Sequence, residues 1–153
     1  MNSFSVDALG AIFAGALAEV ISTVSGISPG VLSSERDTDF DDIIGLMSLN
    51  GAKSGIIFIS AGEADMRFLC SRMTGMPKDE VTKTDMDDAL GEIVNMTAGN
   101  AKLRFSDAEY MYTLSLPFVI SGKGMSIVAK KSSHVISKRL GNGEITLKLK
   151  VVY

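Results

Sequence analysis

Apolar residues recur along this chain with two periods, one typical of helices and one typical of strands. Spacing near 3.6 residues predicts amphipathic helices over 6–25, 63–74 and 86–105. Alternating or short apolar runs predict strands over 31–40, 41–51, 52–62, 109–122, 123–133 and 143–153. Because the strands come in groups and do not alternate strictly with helices, we expect an α+β fold with helices packed on an antiparallel sheet.

Capping and turn residues set the boundaries of these segments. Ser5 is placed to cap the first helix and Gly26 to end it, and either Thr84 or Asp85 is placed to cap the third. The pair Asn50-Gly51 predicts a tight hairpin turn between two strands. The run ISGKG at 120–124 lacks the spacing of a nucleotide-binding loop, so we interpret it as another hairpin.

The first and third helices share an internal echo. ALAEVISTVSGI from Ala16 and ALGEIVNMTAGN from Ala89 align without gaps and share Ala, Leu, Glu and Gly. Amphipathic helices resemble each other by pattern, so the echo alone is a weak signal. It suggests two related helices on opposite halves of one sheet, and therefore pseudo-two-fold internal symmetry.

The composition indicates one globular domain spanning 1–153. Of the 153 residues, 46% are hydrophobic and 22% charged, which excludes a disordered chain. The formal net charge of -3 argues against binding to nucleic acid. The apolar segment 6–27 carries Asp7 and Glu19 and lacks a basic start, so we interpret it as a buried helix and not as a signal peptide or membrane span. We expect a cytoplasmic protein.

Residues that commonly bind metals or perform covalent chemistry are rare. Cys70 lies among apolar residues at helical spacing and is interpreted as a core residue. The single histidine, His134, is interpreted as a surface or turn residue, because a transition-metal site needs further ligands. We expect this chain to bind no cofactor or metal of its own.

The third helix carries a polar stripe. At 100° per residue, Asp88, Glu92, Asn95 and Gly99 fall within about 60° of one another on the helix surface. The opposite side is apolar and consists of Met86, Leu90, Ile93, Thr97 and Ala101. Such a stripe is most often a solvated face. However, a solvated face does not need Asn, a mediocre helix former, or Gly, which costs about 1 kcal/mol against Ala. A small residue beside an acid and an amide favours close approach by another protein.

The stripe resembles the signature of the CheC/CheX/FliY chemotaxis phosphatases, in which an acid, Glu-x-x-Asn and a distant proline recur. Asp88, Glu92, Asn95 and Pro117 match those positions. The runs GEIVNMTAGNAK, TLSLPFVISGKG and AKSGIIFISAG resemble the CheX-like branch, over 52–124 and more loosely at both ends. The resemblance implies a pseudo-symmetric helix-on-sheet fold and dephosphorylation of a CheY-like response regulator.

Within that resemblance, each polar residue of the helix has an expected role. Asn95 is the candidate that orients the attacking water, because an amide both donates and accepts hydrogen bonds without carrying charge. Glu92 matches the Glu that pairs with a regulator lysine and is not expected to act as a general base. Asp88 contacts the regulator or helps the helix to start. Gly99 and Asn100 are candidates for the contact surface, and Asn100 equally for a hydrogen bond at the edge of the core. The divalent metal, Mg²⁺, is expected on the regulator.

Two alternatives to a phosphatase remain open at the level of sequence. The same fold serves equally as an adaptor that binds a regulator without hydrolysing its phosphate. It also serves as a dimerisation module, since CheX-like proteins resemble one another in pairing through sheet edges, and the strands ending at Tyr153 offer one such edge. The echo helix has Glu19 but Ser22 where an Asn is needed, so we expect it to be inactive. Pro117 is expected to shape an edge or bulge in its strand.

Overall fold

A computed structural model describes residues 5–33, 39–126, 128–130 and 134–153 of the chain. These residues form three helices, seven strands and two 3₁₀ turns. In chain order they are α1 (Val6–Ser25), β1 (Gly30–Ser33), β2 (Ile43–Gly51), β3 (Gly55–Ala61), α2 (Glu63–Thr74), a 3₁₀ turn (Lys78–Glu80), α3 (Lys83–Arg104), a 3₁₀ turn (Ala108–Tyr110), β4 (Tyr112–Leu114), β5 (Phe118–Ser121), β6 (Val135–Gly141) and β7 (Thr146–Val152).

The ends of α1 follow from the residues that flank it. The Ser5 hydroxyl accepts a hydrogen bond from the Ala8 backbone N–H, and Gly26 ends the helix in the left-handed conformation, at φ 74°. Both were predicted. Within the described residues α1 is also the helix long and apolar enough to cross a membrane. Half of that apolar window is buried inside the fold, as expected for a core helix.

The start of α3 differs from the prediction. The cap is Thr82, and neither Thr84 nor Asp85 takes that place. The Thr82 hydroxyl accepts from the Asp85 backbone N–H at 3.2 Å, while the Asp85 carboxylate accepts from the Thr82 backbone N–H at 2.8 Å. This reciprocal capping box uses Asp85 three residues inside the helix, which is why Asp85 looked like a cap in the sequence.

All paired strands in the described residues belong to one antiparallel sheet with the order β1-β6-β7-β3-β2-β4, and β5 also pairs with β2. Gly45, Ile59, Leu149 and Lys138 form one cross-strand row. Helix α3 lies over this row at Gly45, and α1 lies over it at Lys138. Both helices therefore cover the same face of the sheet, with α2 packed against them. The predicted α+β class is confirmed.

The sheet order supports the predicted pseudo-symmetry. The first half supplies α1, β1 and the hairpin β2–β3, and the second supplies α3, β4–β5 and the hairpin β6–β7. Exchanging the two halves reproduces the same sheet order, with β3 and β7 paired at the centre. The exchange also relates the packing of α1 over β6 to that of α3 over β2. Among the described residues, helix α2 has no counterpart in the second half.

The predicted hairpin between β2 and β3 is confirmed, but its turn does not lie at Asn50-Gly51. Both residues stay in β2, where they pair with Thr113 and Tyr112 of β4, and the reversal occurs at 52–54. A Cβ on Gly51 would stand 2.1 Å from the Met111 carbonyl oxygen. This glycine is therefore required by close approach of a neighbouring backbone, and not by a turn with positive φ.

The second half of the sheet was predicted less well. The described part of 123–133 contains only an isolated bridge from Ser126 to Asp39, so the strand predicted there, and the hairpin leading to it, are wrong. Residues 127 and 131–133 of that segment lie outside the described residues, as do 34–38 of the predicted strand 31–40. Strand β6 was not predicted, and His134 lies exposed at its start, as a surface residue should.

Strand β7 alternates as predicted, with Leu147, Leu149 and Val151 buried on the helix side. On the opposite side Lys150 is only 1% exposed, because its ammonium donates to the Asp39 carbonyl at 2.8 Å and lies 4.3 Å from the Phe40 ring centre. The same strand lies between β6 and β3. The strand ending at Tyr153 therefore cannot be a free edge, which corrects that candidate for dimer pairing.

Candidate functional site

Helix α3 buries its predicted apolar side and presents the polar stripe. Met86, Leu90, Ile93, Thr97 and Ala101 are all buried. On the other side Asp88 and Glu92 are exposed, and Asn95 and Gly99 are partly exposed. The periodicity therefore predicted correctly which side chains face away from the sheet. Neither Glu92 nor Asn95 lies in the core.

Close packing of α3 on the sheet fixes how far the polar stripe stands from the sheet. A Cβ on Gly45 of β2 would stand 2.5 Å from Val94 Cγ2, so only a glycine lets α3 lie this close. Farther along the helix, the Tyr112 hydroxyl donates to the Ala98 carbonyl at 2.7 Å, and burial raises the pKa of that phenol. The middle of α3, which carries Asn95, is thus held from both β2 and β4.

Crowding by the described residues does not explain the two glycines on the outer side of α3. A Cβ on Gly91 would meet Val119 at 3.8 Å, and one on Gly99 would meet Leu114 at 3.9 Å, both ordinary contacts. Each glycine weakens the helix by about 1 kcal/mol relative to alanine. The packing of the described residues therefore does not require glycine at either position.

The acids of α3 divide into structural and unengaged groups. Hydrogen bonds from Thr82 hold the pKa of Asp85 below its usual range, and Lys83 pairs with Asp87 at 2.6 Å. By contrast, Asp88 and Glu92 make no ion pair or side-chain hydrogen bond with another described residue. Since Thr82 and Asp85 already start the helix, Asp88 lies beyond its first turn and is not needed there.

Asn100 is turned toward α1. Its side-chain oxygen accepts a hydrogen bond from Arg104 Nε at 2.8 Å. Arg104 continues to α1, where it pairs with the Glu19 carboxylate and donates to the Gly15 carbonyl at 3.3 Å. The structure therefore places Asn100 beside the stripe and not on it, in keeping with the hydrogen-bonding role that the sequence left open.

Sequence reasoning missed two strongly exposed leucines, of which Leu103 lies beside the stripe on α3. Leu103 is 87% exposed and follows Gly99 by one helical turn, and Leu116 is 76% exposed in the segment between β4 and β5. The sequence signal for Leu103 was its position four residues after Gly99, which places it on the polar side of α3. Pro117 lies in the same break, where the Ser115 hydroxyl accepts from the Ser48 backbone N–H at 3.0 Å, so Pro117 interrupts an edge strand as predicted.

Other chemistry-bearing groups lie away from the stripe. Cys70 is buried in the core and burial raises the pKa of its thiol, which disfavours a reactive thiolate. Among the described residues no group of three His, Cys, Asp or Glu side chains lies close enough to hold a metal ion. A groove of about 360 Å³ at the start of α3 is lined by residues that include Glu63, Arg67 and Lys83, and none of its lining residues belongs to the stripe.

Comparison with known proteins connects this geometry to a family. The model of the family described as chemotaxis phosphatase CheX matches residues 43–139. No curated protein matches the chain. The CheX structure from Desulfovibrio desulfuricans is 24% identical, covers 94% of this chain and 97% of its own, and superposes with a TM-score of 0.80. CheX from Vibrio vulnificus is 22% identical, with coverage of 92% and 95% and a TM-score of 0.79. The structure of a CheX–CheY–BeF₃–Mg²⁺ complex from Borrelia burgdorferi contains a chain that is 17% identical. The match covers 92% of this chain and 95% of that one, with a TM-score of 0.71.

Proposed function

Because this chain belongs to the CheX family of chemotaxis phosphatases, we propose that it stimulates hydrolysis of the aspartyl phosphate of a CheY-like response regulator. The observation that carries the proposal is the outer face of α3, where Glu92 and Asn95 lie one helical turn apart, accessible and held on a rigid helix. A similar CheX is known in complex with CheY, beryllofluoride and Mg²⁺. That complex supports a regulator as partner here.

Asn95 is the proposed catalytic residue. An aspartyl phosphate is an activated acyl phosphate, so a helper protein mainly has to place a water molecule in line with the scissile bond. The Asn95 amide presents a donor and an acceptor without charge, and therefore holds a water without repelling the phosphoryl oxygens. The regulator supplies the Mg²⁺ that neutralises those oxygens.

Glu92 is the proposed docking residue. A carboxylate aimed at a phosphoryl group would repel it, so Glu92 acts beside the phosphate by pairing with a cation of the regulator. It is exposed and unpaired among the described residues, and therefore available. Asp88, one turn earlier, adds a second negative charge toward the same cation. Gly99 lets the regulator backbone approach.

The test is single-turnover decay of a phosphorylated CheY at saturating concentrations of this protein. Asn95→Ala should slow stimulated decay by about 100-fold or more, equivalent to about 2.7 kcal/mol, because it removes a group that acts in the transition state. Its affinity for the regulator should stay near that of the wild type. The matched control is Ser22→Ala on α1, which should leave the rate unchanged.

The same experiment separates an enzyme from an adaptor. If Asn95→Ala stimulates decay as fast as the wild type at saturation, Asn95 is not catalytic. If the wild-type protein binds the regulator without accelerating decay, the chain is an adaptor of the same fold.

We further propose that the chain forms a homodimer through a sheet edge and works in the cytoplasm. Both edges of the sheet carry exposed apolar side chains, Val31 and Leu32 on β1 at one edge and Phe118 and Ile120 on β5 at the other. An exposed apolar edge favours pairing with a second copy. Light scattering should report about twice the 16.2 kDa chain mass. Leu32→Lys tests the β1 edge and Ile120→Lys tests the β5 edge, so the substitution that yields a monomer identifies the edge that pairs. A monomeric wild type contradicts the proposal.

A further inference from the structure

Arg104 reaches from α3 onto the outer surface of α1. Its Nη2 atom contacts the Glu19 carboxylate and donates to the Gly15 carbonyl at 3.3 Å, while its Nε donates to Asn100 at 2.8 Å. The guanidinium lies directly over Gly15, since a Cβ there would stand 2.7 Å from Arg104 Nη1. A side chain at this position would displace the guanidinium from where it lies.

The surface that Arg104 covers is the pseudo-symmetric counterpart of the polar stripe. In the alignment of the two echo helices, Glu19 matches Glu92, Ser22 matches Asn95 and Gly26 matches Gly99. One residue before the echo, Gly15 matches Asp88. We call Gly15, Glu19, Ser22 and Gly26 the α1 stripe. Glu92 on α3 is unpaired among the described residues, whereas its counterpart on α1, Glu19, pairs with Arg104.

We propose that Arg104 occupies, within the same chain, the place on Glu19 that a regulator's cation takes on Glu92, and so closes the α1 stripe to docking. This inference rests on the proposed function. The chain therefore binds one regulator, through α3, although its fold presents two related helices. A regulator's cation reaches Glu19 only by displacing the cation that the same chain holds there, and it also meets the positive charge of Arg104, so docking on α1 is disfavoured relative to docking on α3.

A purely structural role explains the contact less well. The Arg104 and Glu19 side chains remain 35% and 59% exposed, and ion pairs with that exposure contribute little to folding. Helices α1 and α3 are also held together by apolar packing, for example between Phe13 of α1 and Phe105, the residue that directly follows α3, whose ring centres are 5.7 Å apart. The arginine is thus not needed to join the helices.

The experiment measures binding of beryllofluoride-activated, Mg²⁺-loaded CheY by calorimetry, with α3 docking removed by Glu92→Lys. Adding Arg104→Ala to that variant should tighten binding about fivefold or more, because it frees Glu19 for the regulator's cation and also removes a positive charge that repels that cation. Adding Glu19→Lys as well should abolish the gain. Glu92→Lys with Lys83→Ala is the control, since it removes one positive charge elsewhere on α3 and should show no gain.

The outcomes separate this inference from the proposed function. A gain below about fivefold in the Glu92→Lys, Arg104→Ala protein overturns the inference, as does a gain equally large with Lys83→Ala. Two regulators per wild-type chain also overturn it. If the wild type binds no regulator, the proposed function itself fails. Should Arg104→Ala unfold the protein, Arg104→Met keeps the aliphatic stem, removes the charge and is judged by the same criterion.

Discussion

Gly45 of β2 lies directly beneath Val94 of α3, so close that a Cβ on the glycine would stand 2.5 Å from Val94 Cγ2. The same atom would stand 3.0 Å from Leu90 Cγ. Val94 precedes Asn95 in the helix. A glycine in the sheet therefore sets how far the candidate catalytic amide stands above it, although Gly45 itself is remote from any partner.

Gly45→Ala should destabilise the fold by about 1–3 kcal/mol, the usual effect of overpacking a core. Urea unfolding measures this. The matched control is Gly91→Ala on α3, where a Cβ would meet Val119 at an ordinary 3.8 Å. There alanine should stabilise the helix by about 1 kcal/mol. Equal stability of Gly45→Ala and wild type would mean that α3 is free to move away from the sheet.

Gly99→Ala should separate stability from function. Its Cβ would meet only Leu114, at 3.9 Å, so the substitution should stabilise the helix by about 1 kcal/mol. The same methyl group lies on the polar stripe and should weaken binding of an activated regulator. Thermal unfolding and calorimetric titration test the two effects. Unchanged affinity would remove Gly99 from the docking surface.

Glu92→Lys should weaken regulator binding more than Glu92→Gln does. The lysine places like charges together in the complex, whereas the glutamine only removes the attraction. The difference should shrink as salt is added, because exposed charges are screened. Titrations at low and high ionic strength measure this. Equal affinity for both variants at low salt would mean that Glu92 faces no cation.

The capping box at the start of α3 should make stability depend on pH in the acid range. Hydrogen bonds from Thr82 lower the pKa of Asp85 in the folded state, so the ionised carboxylate stabilises the fold above its unfolded pKa of about 3.9. That stabilisation is lost as pH falls through the lower, folded pKa. The free energy of unfolding of wild type and Asp85→Ala should therefore differ at pH 6 and converge toward pH 2. A difference independent of pH would contradict this.

Local signals predicted those parts of the fold that local physics decides. The ends of α1, the apolar side of α3 and the alternation of β7 each follow from caps or periodicity within one element. Strand β6 escaped prediction because its sequence, VISKRLG, mixes charged and apolar residues, and because one of its two partners, β1, comes from a distant part of the chain. The burial of Lys150 was equally hidden, since Asp39 and Phe40 cover it from far along the sequence.

The candidate site divides in the same way. The sequence predicted which residues of α3 face outward, because the helical period fixes the direction of each side chain. The involvement of Asn100 with Arg104 and Glu19 was not predicted, since it requires knowing that α1 and α3 lie side by side. Asn50-Gly51 shows the limit of turn signals: the same dipeptide suits a tight turn and a close approach of backbones, and only β4 decides between them.

The order of the sheet has a consequence for how the chain holds together. Strand β1 of the first half pairs with β6 of the second, while β4 and β5 of the second half pair with β2 of the first. Each half thus lends its outermost strand to the other, as two subunits do in a strand-exchanged dimer. A cut in the connection 75–82 would leave two fragments, neither with a complete sheet, and each would be the complement that the other needs to fold.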